Sequence, residues 1–154
     1  MKAILFIFTT LFFSFQIFGQ TAELRKSYKE ATKSEASAKA FYEKVKNVSD
    51  SDSNAALLAY KGAGKTLLAR YEPLLDRKDK VKAGINLVEK AIQNEPDNVE
   101  ARLVRLSIQE NLPKMFKYNG EIESDKKFIQ SKLNSIKDED LVKMINGYFA
   151  EFSK

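Results

Sequence analysis

Apolar positions recur at spacings of three, four and seven residues along almost the whole chain after Gln20. This spacing is typical of amphipathic helices, and the chain has no alternating β-branched runs between turn signals, which strands would need. The pattern predicts an all-α protein of about six antiparallel helices, arranged as an array of helical hairpins. The predicted helices, in chain order, are approximately Thr21–Asn47, Asn54–Glu72, Asp79–Asn94, Asp97–Leu112, Glu121–Ile136 and a last one from Asp138 onwards.

Prolines and capping residues set several of these boundaries. Pro73 and Pro113 end the second and fourth predicted helices, because proline has no N–H to continue the hydrogen-bond ladder. Asp97, followed three residues later by Glu100, predicts a capping box at the start of the fourth helix. Asp138 places negative charge in the first turn of the last helix, where the helix dipole favours it.

The first 19 residues differ in composition from the rest of the chain. Lys2 precedes an apolar run over residues 3–18, and Ile17 and Gly19 supply the aliphatic and small residues of a cleavage site. We expect a secretory signal peptide over residues 1–19, cleaved after Gly19, and one helical domain over residues 20–154. The run is short for a bilayer span of roughly 20 residues; a retained anchor or a buried N-terminal helix are the alternatives. The expected location is periplasmic or secreted, in a bacterium, with no stable membrane span after cleavage.

The junction between the third and fourth predicted helices, residues 87–101, resembles the boundary between two tetratricopeptide repeats. In that family a small residue lies five positions before a proline, as Ala91 lies before Pro96, and Pro-Asp-Asn opens the next helix, as at Pro96. Gly84 fits the small packing position seven residues before Ala91. The resemblance implies stacked helical hairpins, and the layout is also similar to that of small exported bacterial proteins of unassigned function.

The fourth predicted helix departs from the tetratricopeptide pattern. Arg102 stands where the repeat usually has an aromatic residue, and Leu106 stands where it usually has glycine. No second clean copy follows at the period of about 34 residues that such repeats show. We therefore interpret the chain as a degenerate hairpin array, only partly tetratricopeptide-like.

Residues 59–66 end in Gly64-Lys65-Thr66, as a nucleotide-binding phosphate loop does. That loop needs a glycine five residues before Gly64, where this chain has Ala59, and it needs a preceding strand where this chain predicts helix. We interpret the similarity as spurious. The segment instead belongs to a stripe of small residues that lets a neighbouring helix approach closely: Ala55, Ala56, Ala59, Gly62, Ala63 and Thr66.

Composition excludes several kinds of chemistry. The chain has no Cys, no His and no Trp, so it offers no thiolate, no imidazole base and no His-ligated metal. The net charge of +5 is scattered along the chain, whereas nucleic-acid binders gather their cations on one face. We expect no cofactor, no metal and no nucleic-acid partner. The acidic pairs Glu121/Glu123 and Asp138/Asp140 leave open a hydrolase with paired carboxylates, and Asp50 with Asp52 lacks the glycine of a calcium loop.

The strongest candidate site lies between residues 102 and 126. Two arginines three residues apart share a helix face, and the loop that follows carries more apolar bulk than loops usually do. We expect a partner-binding surface there, formed by Arg102, Arg105, Gln109, Lys114, Phe116 and Tyr118. In the alternative interpretation the two aromatic residues cover the core and the arginines pair with Glu100, Glu110 or Asp125.

These observations favour an exported, non-catalytic interaction module that binds another protein of the cell envelope. The alternatives are a small hydrolase with paired carboxylates and a weak binder of anionic envelope polymers or lipid head groups. The sequence does not specify the partner or the oligomeric state.

Overall fold

Seven α-helices follow one another over residues 21–152, the part of the chain that the computed structural model describes, and no strand occurs among these residues. The helices are α1 over 21–31, α2 Glu35–Val45, α3 Ala55–Leu68, α4 Leu74–Asn94, α5 Val99–Asn111, α6 Ile122–Lys132 and α7 Glu139–Phe152. The prediction of an all-α chain is confirmed for these residues, with seven helices instead of about six. None of these helices is long and apolar enough to cross a membrane. The predicted signal peptide over residues 1–19 lies outside the described residues.

The additional helix arises because the predicted first helix, Thr21–Asn47, is broken in two. After α1 the chain turns, with the Lys33 N–H donating to the Glu30 carbonyl oxygen over 3.0 Å. Ser34 then caps α2, since its Oγ accepts from the Ser37 N–H at 3.1 Å. Serine side chains compete with the helix for backbone hydrogen bonds and therefore favour caps over helix interiors. The apolar spacing continues across this break, and the prediction of one continuous helix is wrong.

Other helix boundaries also differ from the sequence prediction. α3 ends at Leu68, and a 3₁₀ turn, Ala69–Tyr71, follows where the prediction continued the helix to Glu72. α4 begins at Leu74, directly after Pro73, and not near Asp79. Proline immediately before a helix needs no N–H and holds φ near the helical value, so Pro73 ends one helical segment and starts the next. α6 ends at Lys132 and the chain continues as a 3₁₀ turn, Leu133–Ser135, instead of reaching Ile136 as helix.

The start of α5 corrects the predicted capping box. Asn98, and not Asp97, is the N-cap, because its side-chain oxygen accepts from the Ala101 N–H at 2.9 Å. Glu100 does not reach back to the cap. Its side chain is buried instead, only 6% exposed, and makes hydrogen bonds inside the bundle.

The stripe of small residues on α3 allows this helix to pack closely against α4. A Cβ added to Gly62 would lie 2.5 Å from the Gly84 carbonyl oxygen of α4, and one added to Gly84 would lie 2.6 Å from the Gly62 carbonyl oxygen. A Cβ on Gly64 would lie 2.9 Å from the ring of Tyr42 on α2. The prediction that small residues permit close helix approach is confirmed here. Residues 59–66 form continuous helix, so their N–H groups bond along the helix and do not form a phosphate cradle.

The apolar core has two parts that share α5. The larger part surrounds α3 and contains an aromatic cluster in which Tyr28, Phe41 and Tyr60 contact one another, with ring centroids 5.2 to 6.0 Å apart. The smaller part lies between α5, α6 and α7 and includes Leu103 and Ile145. Since α5 has apolar side chains on both faces, it holds α6 and α7 against the rest of the bundle.

Candidate functional site

The two arginines of the predicted partner-binding surface converge on one buried carboxylate. Arg105 on α5 donates from Nε and Nη2 to the two oxygens of Asp125 on α6, each at 2.7 Å, and from Nη1 to Glu89 on α4 at 3.1 Å. Arg102 donates to the same Asp125 at 2.9 Å. Asp125 is fully buried and Arg105 is 5% exposed. Burial alone would lower the pKa of Arg105, but the hydrogen bonds and charge of Asp125 outweigh it and raise the pKa.

Arg102 makes two further contacts within the protein. Its Nε donates to the Pro96 carbonyl oxygen at 2.7 Å, and its guanidinium lies 4.2 Å from the ring centroid of Phe128. Tyr118 donates its hydroxyl to Glu89, the carboxylate that also contacts Arg105. Lys117 has a positive φ of 52°, just before this contact. Both arginines therefore pair with Asp125 inside the protein, as the alternative interpretation of this segment expects.

The other predicted residues of this surface are separated. Gln109 is buried and its Oε1 has no hydrogen-bond partner among the described residues. Phe116 is partly buried, whereas Lys114 is exposed, next to the exposed Met115. Of the six residues, the structure brings Arg102, Arg105 and Tyr118 together through shared carboxylates. These three contribute to the packing of α4, α5 and α6.

A second buried ionic cluster was missed at the sequence level. Arg25 on α1 donates to both oxygens of Glu100 on α5, at 2.8 and 2.7 Å, and pairs with Asp138 at 2.8 Å. Tyr60 on α3 donates to Glu100 at 2.6 Å, so the cluster joins α1, α3, α5 and the start of α7. Burial and the adjacent Glu100 raise the pKa of Tyr60 well above its ordinary value. The sequence signal for this cluster was the position of Glu100, which lies three residues before Leu103 on the buried stripe of α5 and is therefore expected to face the interior.

An open groove of about 710 Å³ lies between α1, α5 and α7, and the end of α3 closes its floor. We call this feature the groove. Its floor is apolar and includes Leu67, Ile108, Leu112 and Met144. Two of these, Leu67 and Ile108, belong to the buried core, so the groove reaches the interior of the bundle. None of the six residues predicted as a partner surface lines it.

The rim of the groove is mainly basic. Lys26 and Lys29 of α1, together with Arg70 of the 3₁₀ turn Ala69–Tyr71, are exposed and make no ion pair with any carboxylate of the described residues. Lys143 on α7 contacts Asp140 only at 3.7 Å, between two exposed side chains. Such a contact contributes little. The groove thus combines an apolar floor with three exposed cations that make no ion pair within residues 21–152.

The polar groups within the groove already have partners. Tyr28 is hydrogen-bonded to Ser107 at 2.5 Å, and Ser107 donates to the Val104 carbonyl oxygen at 2.8 Å. Thr66 donates to the Ala63 carbonyl oxygen at 2.8 Å. Burial raises the pKa of Tyr28 to about 12, so this phenol is neutral at physiological pH.

The carboxylates of the groove are poorly placed for acid–base catalysis. Asp140 and Glu151 both line it, but they lie eleven residues apart on α7. At 1.5 Å per residue this separates their backbones by roughly 16 Å, beyond the roughly 5–9.5 Å of paired catalytic carboxylates. Within residues 21–152 no three acidic side chains converge as a metal site, and Asp50 pairs with Lys61 at 2.6 Å.

Comparison with known proteins identifies no relative of this chain. No protein-family model matches the chain, and neither do curated proteins or solved structures. The resemblance to tetratricopeptide repeats at residues 87–101 therefore stays a prediction. Any functional interpretation depends on the residues and geometry described above.

Proposed function

We propose that the protein is an exported, non-catalytic binding module of the bacterial cell envelope and that the groove is its binding site. One observation carries this proposal: Lys26, Lys29 and Arg70 lie on the rim of an apolar groove and have no ion-pair partner among residues 21–152. By contrast, the buried cations Arg25 and Arg105 are bound to carboxylates. Unpaired cations beside apolar surface suit an acidic ligand with an apolar part.

The alternative functions are less well supported. A hydrolase with paired carboxylates would need two acidic side chains close together in a cleft, and those of the groove are on distant turns of α7. A binder of anionic polymers would use the basic rim but would have no use for the apolar floor. The interaction module that we favour uses both, whether the bound component is another envelope protein or a smaller molecule.

Gly147 offers a way to fill the groove without disturbing the fold. It lines the groove, and a Cβ added there would meet nothing within 4 Å. Gly147→Phe therefore places a large side chain in the groove and also removes a helix-interior glycine. Asn146→Phe is the matched control, because Asn146 is the exposed neighbour on the same helix and does not line the groove.

The test is capture from the native cell envelope. The protein is produced from its complete coding sequence with a C-terminal tag, crosslinked, and isolated after washes at low and high salt. Proteins and extractable small molecules bound to the wild type, Gly147→Phe and Asn146→Phe are then compared. We expect a component that Gly147→Phe loses and Asn146→Phe retains. An identical set of bound components on all three proteins would overturn the groove as the binding site. Mass spectrometry of the same sample tests whether the chain begins at Gln20.

A further inference from the structure

The chemistry of the groove narrows the class of ligand. Its volume of about 710 Å³ falls within the roughly 300–1,000 Å³ of small-molecule sites. Its floor is built from apolar side chains of three helices, α3, α5 and α7, and its rim carries cations from α1 and the turn after α3. A ligand that matches both surfaces has an apolar body and an anionic group at one end.

The polar groups of the floor argue against a peptide backbone as the ligand. The partly buried Tyr28 and Ser107 and the buried Thr66 make their hydrogen bonds within the protein. A buried peptide N–H or C=O would need such partners, because a polar group buried without one is destabilising. An alkyl chain needs none.

Resting on the proposed function, we propose that the groove binds a single-chain anionic amphiphile: an alkyl chain with a carboxylate or phosphate head group. The chain lies on Leu67, Ile108 and Met144, and the head group lies at Lys29 and Arg70 on the rim. A fatty acid and a single-chain phospholipid share this chemistry, and the head groups used in the test separate the two sources.

The test is isothermal titration calorimetry of the full chain with four ten-carbon probes, each below its micellar concentration. Decanoate and decyl phosphate carry an anionic head, decanol an uncharged one, and decyltrimethylammonium a cationic one. We expect one binding site for the anionic probes, about tenfold weaker binding of decanol, and no binding of the cationic probe, because each exposed charge contact adds a few-fold to the affinity. The tighter of the two anionic probes identifies the head group.

Two variants and one matched control, Asn146→Phe, locate the site. The double variant Lys29→Gln/Arg70→Gln should bind the tighter anionic probe about tenfold more weakly and bind decanol as the wild type does. Gly147→Phe should weaken the binding of every probe, and Asn146→Phe should leave the binding of every probe unchanged. Equal affinities for decanoate, decyl phosphate and decanol, or anionic binding that the double variant does not alter, would overturn the inference. If neither anionic probe binds but envelope capture stays sensitive to Gly147→Phe, the inference fails and the proposed function stands. If neither binds and capture is insensitive, both fail.

Discussion

The segment 102–126 and the groove both contain clustered cations, but the fold uses them in opposite ways. Arg102 and Arg105 are directed inward onto Asp125, a carboxylate with no exposure to solvent. Lys29 and Arg70 stand at the surface with no carboxylate paired to them among residues 21–152. The arginines hold helices together, whereas the groove cations are available to a ligand.

The difference follows from the energetics of burial. Removing a charge from water costs several kcal/mol unless a partner and hydrogen bonds compensate, so an arginine that packs inside a bundle must bring a carboxylate with it. A cation at the rim stays hydrated and needs no partner. Closely spaced arginines on a helix are therefore ambiguous in sequence, and a carboxylate on another element decides between the two uses.

The largest effect is expected from breaking the inner cluster. Asp125→Ala leaves the guanidinium groups of Arg102 and Arg105 without their carboxylate in a buried place, and we expect a loss of about 3–5 kcal/mol in the free energy of unfolding. Urea unfolding followed by circular dichroism measures it. The control is Asp140→Ala at the groove rim, where the exposed pair with Lys143 should contribute less than about 1 kcal/mol. Equal losses in the two variants would contradict the distinction between the regions.

Alanine substitutions at two glycines, one in the tightly packed interior and one on the wall of the groove, should have opposite effects on stability. Gly62→Ala would press a methyl group against the Gly84 carbonyl oxygen and Val88, and we expect it to cost about 1–3 kcal/mol through overpacking. Gly147→Ala meets no neighbour, and should raise the free energy of unfolding by up to about 1 kcal/mol through better helix propensity. Thermal unfolding of both variants checks the two signs. A destabilised Gly147→Ala would show that the groove wall is not open.

Arg25 combines features of the two regions, because it lines the groove and yet pairs with a carboxylate, that of Asp138. Its hydrogen bond holds the pKa of Asp138 below the ordinary 3.8. The pair therefore adds stability at pH values above 3.8, and this contribution is lost as the pH falls through the lowered pKa.

Asp138→Asn separates this charge effect from helix capping, since asparagine can still accept the N–H groups of Asp140 and Leu141. We expect the variant to lose up to about 1 kcal/mol at neutral pH, because Asp138 is partly exposed. The difference from the wild type should vanish at the acid end of a pH series of urea unfolding. A difference that stays constant down to the lowest pH would exclude the Arg25 pair as its cause.

Local signals in the sequence were sufficient for most of the fold. Helical spacing predicted an all-α chain, and the small residues around Gly62 predicted the close crossing with α4, because both depend on positions a few residues apart. The break at Ser34 was missed, since a capping hydroxyl overrode an apolar pattern that continues on both sides. The sequence pattern predicts Asp97 as the cap of α5, whereas the structure uses the next residue, Asn98, because both residue types cap equally well.

The candidate site was harder to predict because its parts are far apart in the chain. A local density of arginine and aromatic side chains makes residues 102–126 the strongest candidate in the sequence, whereas in the structure Arg102, Arg105 and Tyr118 bond to carboxylates of neighbouring helices. The groove collects Lys29, Arg70 and Lys143 from three separate elements, and no spacing rule connects them. Glu100 was misassigned as a capping residue because its partner, Arg25, lies 75 residues away.

The most direct test of the central claim is envelope capture by the variant that combines Lys29→Gln with Arg70→Gln. These exposed cations have no carboxylate partner in the described part of the chain, so the free energy of unfolding should stay within about 0.5 kcal/mol of the wild-type value. The component that depends on the groove should be lost or strongly reduced, while the Lys82→Gln control on the exposed surface of α4 retains it. A variant that unfolds like the wild type and still captures this component in full would contradict the claim that the unpaired cations serve a ligand.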